Sequence, residues 1–156
     1  MTIDSLYDEI DKSNYYIGRI SQVYRDNSIA QVENLSLLSN RKIYGELLIP
    51  NTINYFVLID SVRGLFLGQV FQTKISSSDN IHDSIIRGKT ESVYPEINID
   101  IIGIMTYEDK KFRLPEFLTV GVSEKVYLAN KKVIKRYLDS IETISSDEDR
   151  ILSFAT

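Results

Sequence analysis

The chain has no cysteine among its 156 residues, which excludes a disulfide framework, a thiolate metal site and a cysteine nucleophile together. It has one histidine, His82, too few for a His-rich zinc site, and no His-Glu-x-x-His pattern. A Ser–His–Asp arrangement would have to use His82 with Asp79 and Asp83 in a polar loop where nothing orients an imidazole, so His82 reads as a solvated loop residue. No phosphate-binding Gly-x-x-x-x-Gly-Lys-[Ser/Thr] is present. Arg87-Gly88-Lys89-Thr90 carries the final triplet, but Asp83 stands where the first glycine belongs and no buried strand precedes it. No apolar run approaches the roughly 20 residues of a membrane span; Tyr55-Phe56-Val57-Leu58-Ile59 ends at Asp60. The N-terminus lacks a basic region and an apolar core, so no secretory signal is expected, and the expected location is cytoplasmic.

What is present is an ordinary globular composition, 43% hydrophobic and 26% charged, which argues against wholesale disorder. The formal net charge of −4 is unevenly spread. Residues 1–13 carry −3, residues 14–130 carry −1, residues 131–142 carry +2, and the tail carries Asp147, Glu148 and Asp149 against Arg150. Sequence-independent nucleic-acid binding rests on phosphate neutralisation, and a body near neutrality is poorly built for that alone.

The ends read as helical and the middle as strands. Ile3, Leu6, Tyr7 and Ile10 share one helix face, with Asp4 as a candidate cap, in what is either a short helix or a frayed arm over 1–13. Candidate strands are Tyr15–Tyr24, Ser28–Leu35, Gly45–Ile49, Tyr55–Asp60, Leu65–Ile75, Ile97–Tyr107 and Phe112–Val120. Asp26-Asn27 suits a hairpin demanding positive φ, and Glu108-Asp109 reads as a turn rather than a catalytic carboxylate pair. Gly18, Gly68 and Gly103 fall inside strand patterns, where glycine marks a bulge or a sharp bend. Leu65–Phe71 is apolar on both sides, as a strand buried on both faces would be. Ser76–Glu91 has no strand or helix pattern. After it, Asn130 is placed to cap a helix whose apolar stripe is Val133, Ile134, Tyr137, Leu138 and Ile141. These elements predict an all-β fold: a small closed barrel of six to seven strands over 14–129, one amphipathic helix over 130–142, and an acidic linker over 143–156.

Two surface features bear on nucleic acid. Lys131, Lys132, Lys135 and Arg136 form a basic stripe, read first as the solvated face of the last helix. Tyr15, Tyr16, Tyr24, Tyr44 and Tyr55 could stack bases in the manner of an OB-type barrel, but strand aromatics are more often packing residues unless a basic groove lies beside them.

The order of several segments resembles a family. Tyr16-Ile17-Gly18-Arg19-Ile20 is followed by Tyr44-Gly45-Glu46-Leu47-Leu48-Ile49-Pro50, then Leu65-Phe66-Leu67-Gly68-Gln69-Val70 and Ile99-Asp100-Ile101-Ile102-Gly103-Ile104. Val120-Gly121-Val122-Ser123-Glu124-Lys125-Val126-Tyr127-Leu128-Ala129 then leads into a helix. This order resembles the N-terminal HAS barrel of HerA-type hexameric DNA translocases, a domain similar in shape to the barrels at the head of the rotary ATP-synthase ring. Residues 113–124 depart from the family pattern, with Arg113-Leu114-Pro115-Glu116 and Glu124-Lys125 where that family has Arg-Gly-like and Gly-Asp stretches. The resemblance implies a non-catalytic domain that packs into a hexameric collar and docks a partner nuclease, such as NurA, or a defence effector. ATP and magnesium belong to a motor domain expected beyond Thr156, DNA is reached only through the parent complex, and no membrane is involved. Candidate contact segments are Ser76–Glu91, with Ile81, Ile85 and Ile86, and Arg113–Glu124, with Leu114, Phe117 and Leu118; these side chains could equally fold back on the barrel. The alternatives are a free-standing OB-like nucleic-acid module and a small enzyme or ligand-binding barrel. The chain is expected to show no ATP turnover above buffer in a phosphate-release assay; turnover abolished by Lys89→Ala would restore Arg87–Thr90 as a phosphate loop.

Overall fold

A polar four-residue turn sets the first hairpin. Strand β1 (Tyr16–Val23) runs antiparallel to β2 (Ser28–Val32), and across residues 24–27 the Tyr24 N–H donates to the Asn27 carbonyl at 2.8 Å. The structure, a computed structural model, describes residues 3–7, 12–43, 45–48, 50, 55–75, 94–106, 111–116 and 118–141. Asp26 and Asn27 do not take positive φ, contrary to the expectation.

Beyond a single turn of 3-10 helix at Leu35–Leu38, β3 (Arg41–Ile43) and β4 (Glu46–Leu48) form a separate two-stranded ribbon turned by Gly45 at φ 82°. The strand expected over Gly45–Ile49 therefore exists in part but is not a barrel stave; Ile49 lies outside the described residues. β5 (Phe56–Ser61), β6 (Gly64–Lys74) and β7 (Glu96–Met105) form an antiparallel meander, and β7 returns to pair with β2. β8 (Lys125–Leu128) then fits between β1 and β5. The result is a closed six-stranded antiparallel barrel in the order β1-β2-β7-β6-β5-β8, the closed-barrel class that the patterning predicts.

Burial explains the patterns. Gly64 to Gly68 are consecutively buried, as the two-sided apolar run implies, whereas β1 and β2 alternate. Register shifts occur between Tyr16 and Gly18 and between Leu67 and Gly68, the latter placing an extra β7 residue between Ile101 and Gly103. At Gly18 a β-carbon would collide with the Gln31 carbonyl of β2, so only glycine permits that approach.

The expected strand over Phe112–Val120 does not form. Arg113 alone pairs with Ile104, through reciprocal bonds of 2.8 and 2.9 Å. Pro115 then removes a donor and restricts Leu114, and Glu116 turns the chain at φ 52°. The strand that closes the barrel is β8, only four residues long, with Val126, Tyr127 and Leu128 all buried. Lacking alternation, it has no period-2 signal.

Helix 131–141 starts where expected. Asn130 Oδ1 accepts the Val133 N–H at 2.9 Å, while its amide donates to the Leu6 carbonyl at 3.3 Å. The packed stripe is rotated from the expected one: Val133 and Ser140 are buried, Ile134, Tyr137 and Ile141 are half-buried, and Leu138 is 53% exposed. Tyr137 sets the rotation by packing against Phe112 and Phe56, with ring centroids 6.0 and 6.4 Å apart. Ser140 Oγ accepts the Phe112 N–H at 3.0 Å and donates to the Arg136 carbonyl at 2.8 Å. At the N-terminus, Ile3–Leu6 makes one helical turn (α1), and Ile3, Leu6 and Tyr7 join the core, the Tyr7 hydroxyl donating to the Leu128 carbonyl at 2.8 Å.

Urea unfolding should separate these roles: Phe112→Ala loses about 3–5 kcal/mol of stability, Asn130→Ala about 0.5–2 kcal/mol, and Leu138→Ala within about 0.5 kcal/mol. A large loss at Leu138 would contradict the observed rotation of the helix.

Candidate functional site

Ile17, Ile20, Leu58, Phe66, Leu67 and Ile97 belong to the buried core, and the hollows among the described residues open on the outer wall. Two outer surfaces stand out.

The first is one rim. β5 ends there and β8 begins there, with Asp60 opposite Lys125; β1 runs on from Arg19, also opposite Lys125, to Val23, so turn 24–27 projects beyond turn 62–63 and the segment 113–124 at the same end of the barrel. Each carries an apolar side chain turned outward: Tyr24, Val62 at 91% exposure, Val122, Leu114 at 59% and Leu118 at 39%. Three have an exposed arginine next to them in sequence, Arg25, Arg63 and Arg113. The rim is braced from beneath. Glu124 Oε1 accepts the Gly121 N–H at 2.6 Å and the Ser61 hydroxyl at 3.0 Å, and Ser61 Oγ accepts the Arg63 N–H at 3.3 Å. Ser123, at φ 72°, donates its N–H to the Ile20 carbonyl at 2.7 Å. Of the six candidate interface residues, Leu114 and Leu118 are thus exposed on this segment, while Ile81, Ile85, Ile86 and Phe117 lie outside the described residues. So do His82, Arg87–Thr90, Tyr44 and Glu108-Asp109. Val62 and Val122 went unnoticed in the sequence, although an apolar residue inside a polar turn, as in Ser61-Val62-Arg63-Gly64, is a readable signal.

The second surface is a groove on the outer wall of β1, β2 and β8. Two hollows of about 390 and 400 Å³ are both lined by Arg19 and Glu33. Tyr94 and Val122 flank one; Lys12, Lys125 and Tyr127 flank the other. The Tyr16 hydroxyl donates to Glu33 Oε1 at 2.5 Å, and Arg19 donates to the Ser123 carbonyl at 2.9 Å. Tyr16 and Tyr127 pack edge to face with centroids 5.7 Å apart. Partial burial, then the hydrogen bond and negative charge of Glu33, push the Tyr16 phenol up to about 12, against a smaller downward pull from Arg19. The cations come from positions 12, 19 and 125, so no charge run in the sequence announces them. Among the other tyrosines named for stacking, Tyr15 is buried and Tyr24 stands on the rim. Tyr55 is largely buried, and burial pushes its phenol up to about 12 against a smaller downward pull from the Thr73 hydroxyl beside it. The stripe Lys131, Lys132, Lys135 and Arg136 is exposed to half-buried along its helix.

Among the described residues no group of three or more His, Asp or Glu is placed to hold a metal ion, and no helix is long and apolar enough to cross a membrane. No model of a known protein family matches the chain, and no characterised protein matches it.

Folding holds the proton on Tyr16 and Tyr55 above the ordinary value of 10.0. Below pH 10 both states are protonated and this contribution is fully present. As pH rises from 10 towards about 12 the unfolded chain ionises first, so stability falls. Tyrosinate absorbance in an alkaline titration should show a late-ionising class that shrinks in Tyr16→Phe; an unchanged profile would mean the Tyr16–Glu33 contact is absent in solution.

Proposed function

We propose that this barrel is an assembly and docking domain of the HerA-like kind, acting through its outer surfaces and carrying no catalytic group of its own. The observation that carries the reading is the braced rim: five outward apolar side chains on turns that hydrogen bonds hold in place. Interfaces concentrate binding energy in aromatic, aliphatic and arginine side chains presented on rigid supports, and Tyr24, Val62, Leu114, Leu118 and Val122 beside Arg25, Arg63 and Arg113 have that composition. The closed barrel supports the same reading, because closure leaves the barrel strands no open edge and moves recognition on the barrel to its loop tips and outer wall. In a hexameric collar each barrel offers different patches to its two neighbours, as a cyclic assembly requires. The rim is one such patch, or the platform for a nuclease or defence effector. ATP chemistry would belong to a motor domain of the parent translocase.

An OB-like nucleic-acid module is the second reading. The six-stranded order differs from the five strands of an OB barrel, but the groove supplies the basic lining beside tyrosines that such a module needs.

Velocity sedimentation tests the assembly reading. The chain should be monomeric at micromolar concentration and associate as concentration rises, and Val62→Asp or Leu114→Asp should abolish that association with the fold intact by circular dichroism. If both folded variants associate like the parent, or the parent never associates, the rim is not an assembly surface.

A further inference from the structure

We propose that the groove centred on Arg19 binds a short stretch of single-stranded nucleic acid, an activity separate from rim-mediated assembly. Three cations from three segments line it: Lys12 before β1, Arg19 in β1 and Lys125 at the start of β8. The carboxylate of Glu33 accepts the Tyr16 hydroxyl at 2.5 Å and shares both hollows with Arg19, so its charge is in part satisfied from within the site. Asp60 stands opposite Lys125 in the register of β5 and β8 but is not among the lining residues, so within the groove itself Lys12, Arg19 and Lys125 face the single carboxylate of Glu33. Arg19 is aimed along the groove by its bond to the Ser123 carbonyl, 2.9 Å long, on a turn itself tied to β1.

Two further properties select a single strand. Tyr94 is half exposed at one end, and at the other Tyr16 is partly exposed above the buried ring of Tyr127, so aromatic surface borders the path at both ends. A duplex keeps its bases stacked inside and gives those rings nothing to stack on, whereas a single strand offers base faces and phosphates together. The two hollows share Arg19 and Glu33 and both open to solvent, an arrangement that suits a polymer laid across both better than a small molecule held in one. The walls include few groups able to read base edges (Gln31, Ser21 and Ser13), so binding should be tolerant of sequence. The near-neutral charge of residues 14–130 hides this site, because the fold gathers cations more than a hundred positions apart.

Fluorescence anisotropy with a labelled oligothymidylate of about ten nucleotides, within the usual footprint of such barrels, provides the test. Binding should saturate at low salt, and log affinity should fall with log salt with a slope of about −2, three phosphate contacts at about −0.7 each. Arg19→Gln and Lys125→Gln should each weaken binding and reduce the slope by about 0.7. Tyr94→Ala, an exposed change, should weaken binding about fivefold or more at unchanged slope. A duplex of equal length should bind more weakly. Absence of saturable binding, parent-like affinity in folded Tyr94→Ala and Lys125→Gln, equal affinity for duplex, or equal competition by polyglutamate would each overturn the proposal. Self-association of the same variants should match the parent, so a failure here is distinguishable from a failure of the rim.

Discussion

The barrel depends on a seam of four residues. β8 bonds to β1 on one side and β5 on the other, and without it both strands would present open edges of unpaired amides and carbonyls. The pairing continues past both ends of the strand. Ile20 donates to the Glu124 carbonyl at 2.9 Å before β8 begins; its last residue, Leu128, donates to the Tyr15 carbonyl at 2.7 Å, and beyond it Ala129 donates to the Phe56 carbonyl at 3.1 Å. A short strand of low intrinsic signal is held by neighbours on two sides, so closure is a tertiary event.

Both ends of the seam carry a lock. At its entry Glu124 gathers the Gly121 amide and the Ser61 hydroxyl, which fixes turn 121–124 against the β5–β6 turn. At its exit Tyr7 reaches the Leu128 carbonyl and Asn130 reaches the Leu6 carbonyl, so the N-terminal turn and the last helix meet where β8 leaves the barrel. Tyr7 also packs on Tyr15 with ring centroids 4.6 Å apart, which buries the aromatic face of the arm against the root of β1. Burial and the neighbouring phenols Tyr15 and Tyr127 raise the Tyr7 phenol well above its ordinary value, consistent with a hydroxyl retained as a donor.

The two outer surfaces follow from the same seam. The entry lock stiffens the rim and allows Val62 and Val122 to stand outward on turns that do not need them for packing. The pairing of Arg19 with Lys125 across β1 and β8 brings two cations side by side on the outer wall, and the register shift between Tyr16 and Gly18 lies at the same place. Rim and groove thus share supports but differ in chemistry: aliphatic tips with arginines on one, cations with tyrosines along the other.

The sequence by itself determined the class of fold. Short Val-, Ile-, Tyr- and Phe-rich runs between polar turns locate β1, β2, β5, β6 and β7 to within a few residues, and Asn130 announces the last helix, because those signals are local: side-chain alternation, turn chemistry and a cap three residues from its partner amide. Tertiary structure decided what depends on partners distant in sequence. Whether Phe112–Val120 or Lys125–Leu128 became the sixth stave turned on backbone bonding, which Pro115 and Glu116 deny to the first and β1 and β5 offer to the second. The helix face was set by Tyr137 against Phe56 and Phe112, residues that a hydrophobic period cannot weigh, so Leu138 faces solvent and Ser140 does not. Leu114 and Leu118 were legible as apolar residues outside the strand pattern, but their exposure, like that of Val62 and Val122, was decided by the packed fold. The groove was the least legible feature, since Lys12, Arg19 and Lys125 become neighbours only when β8 closes the barrel.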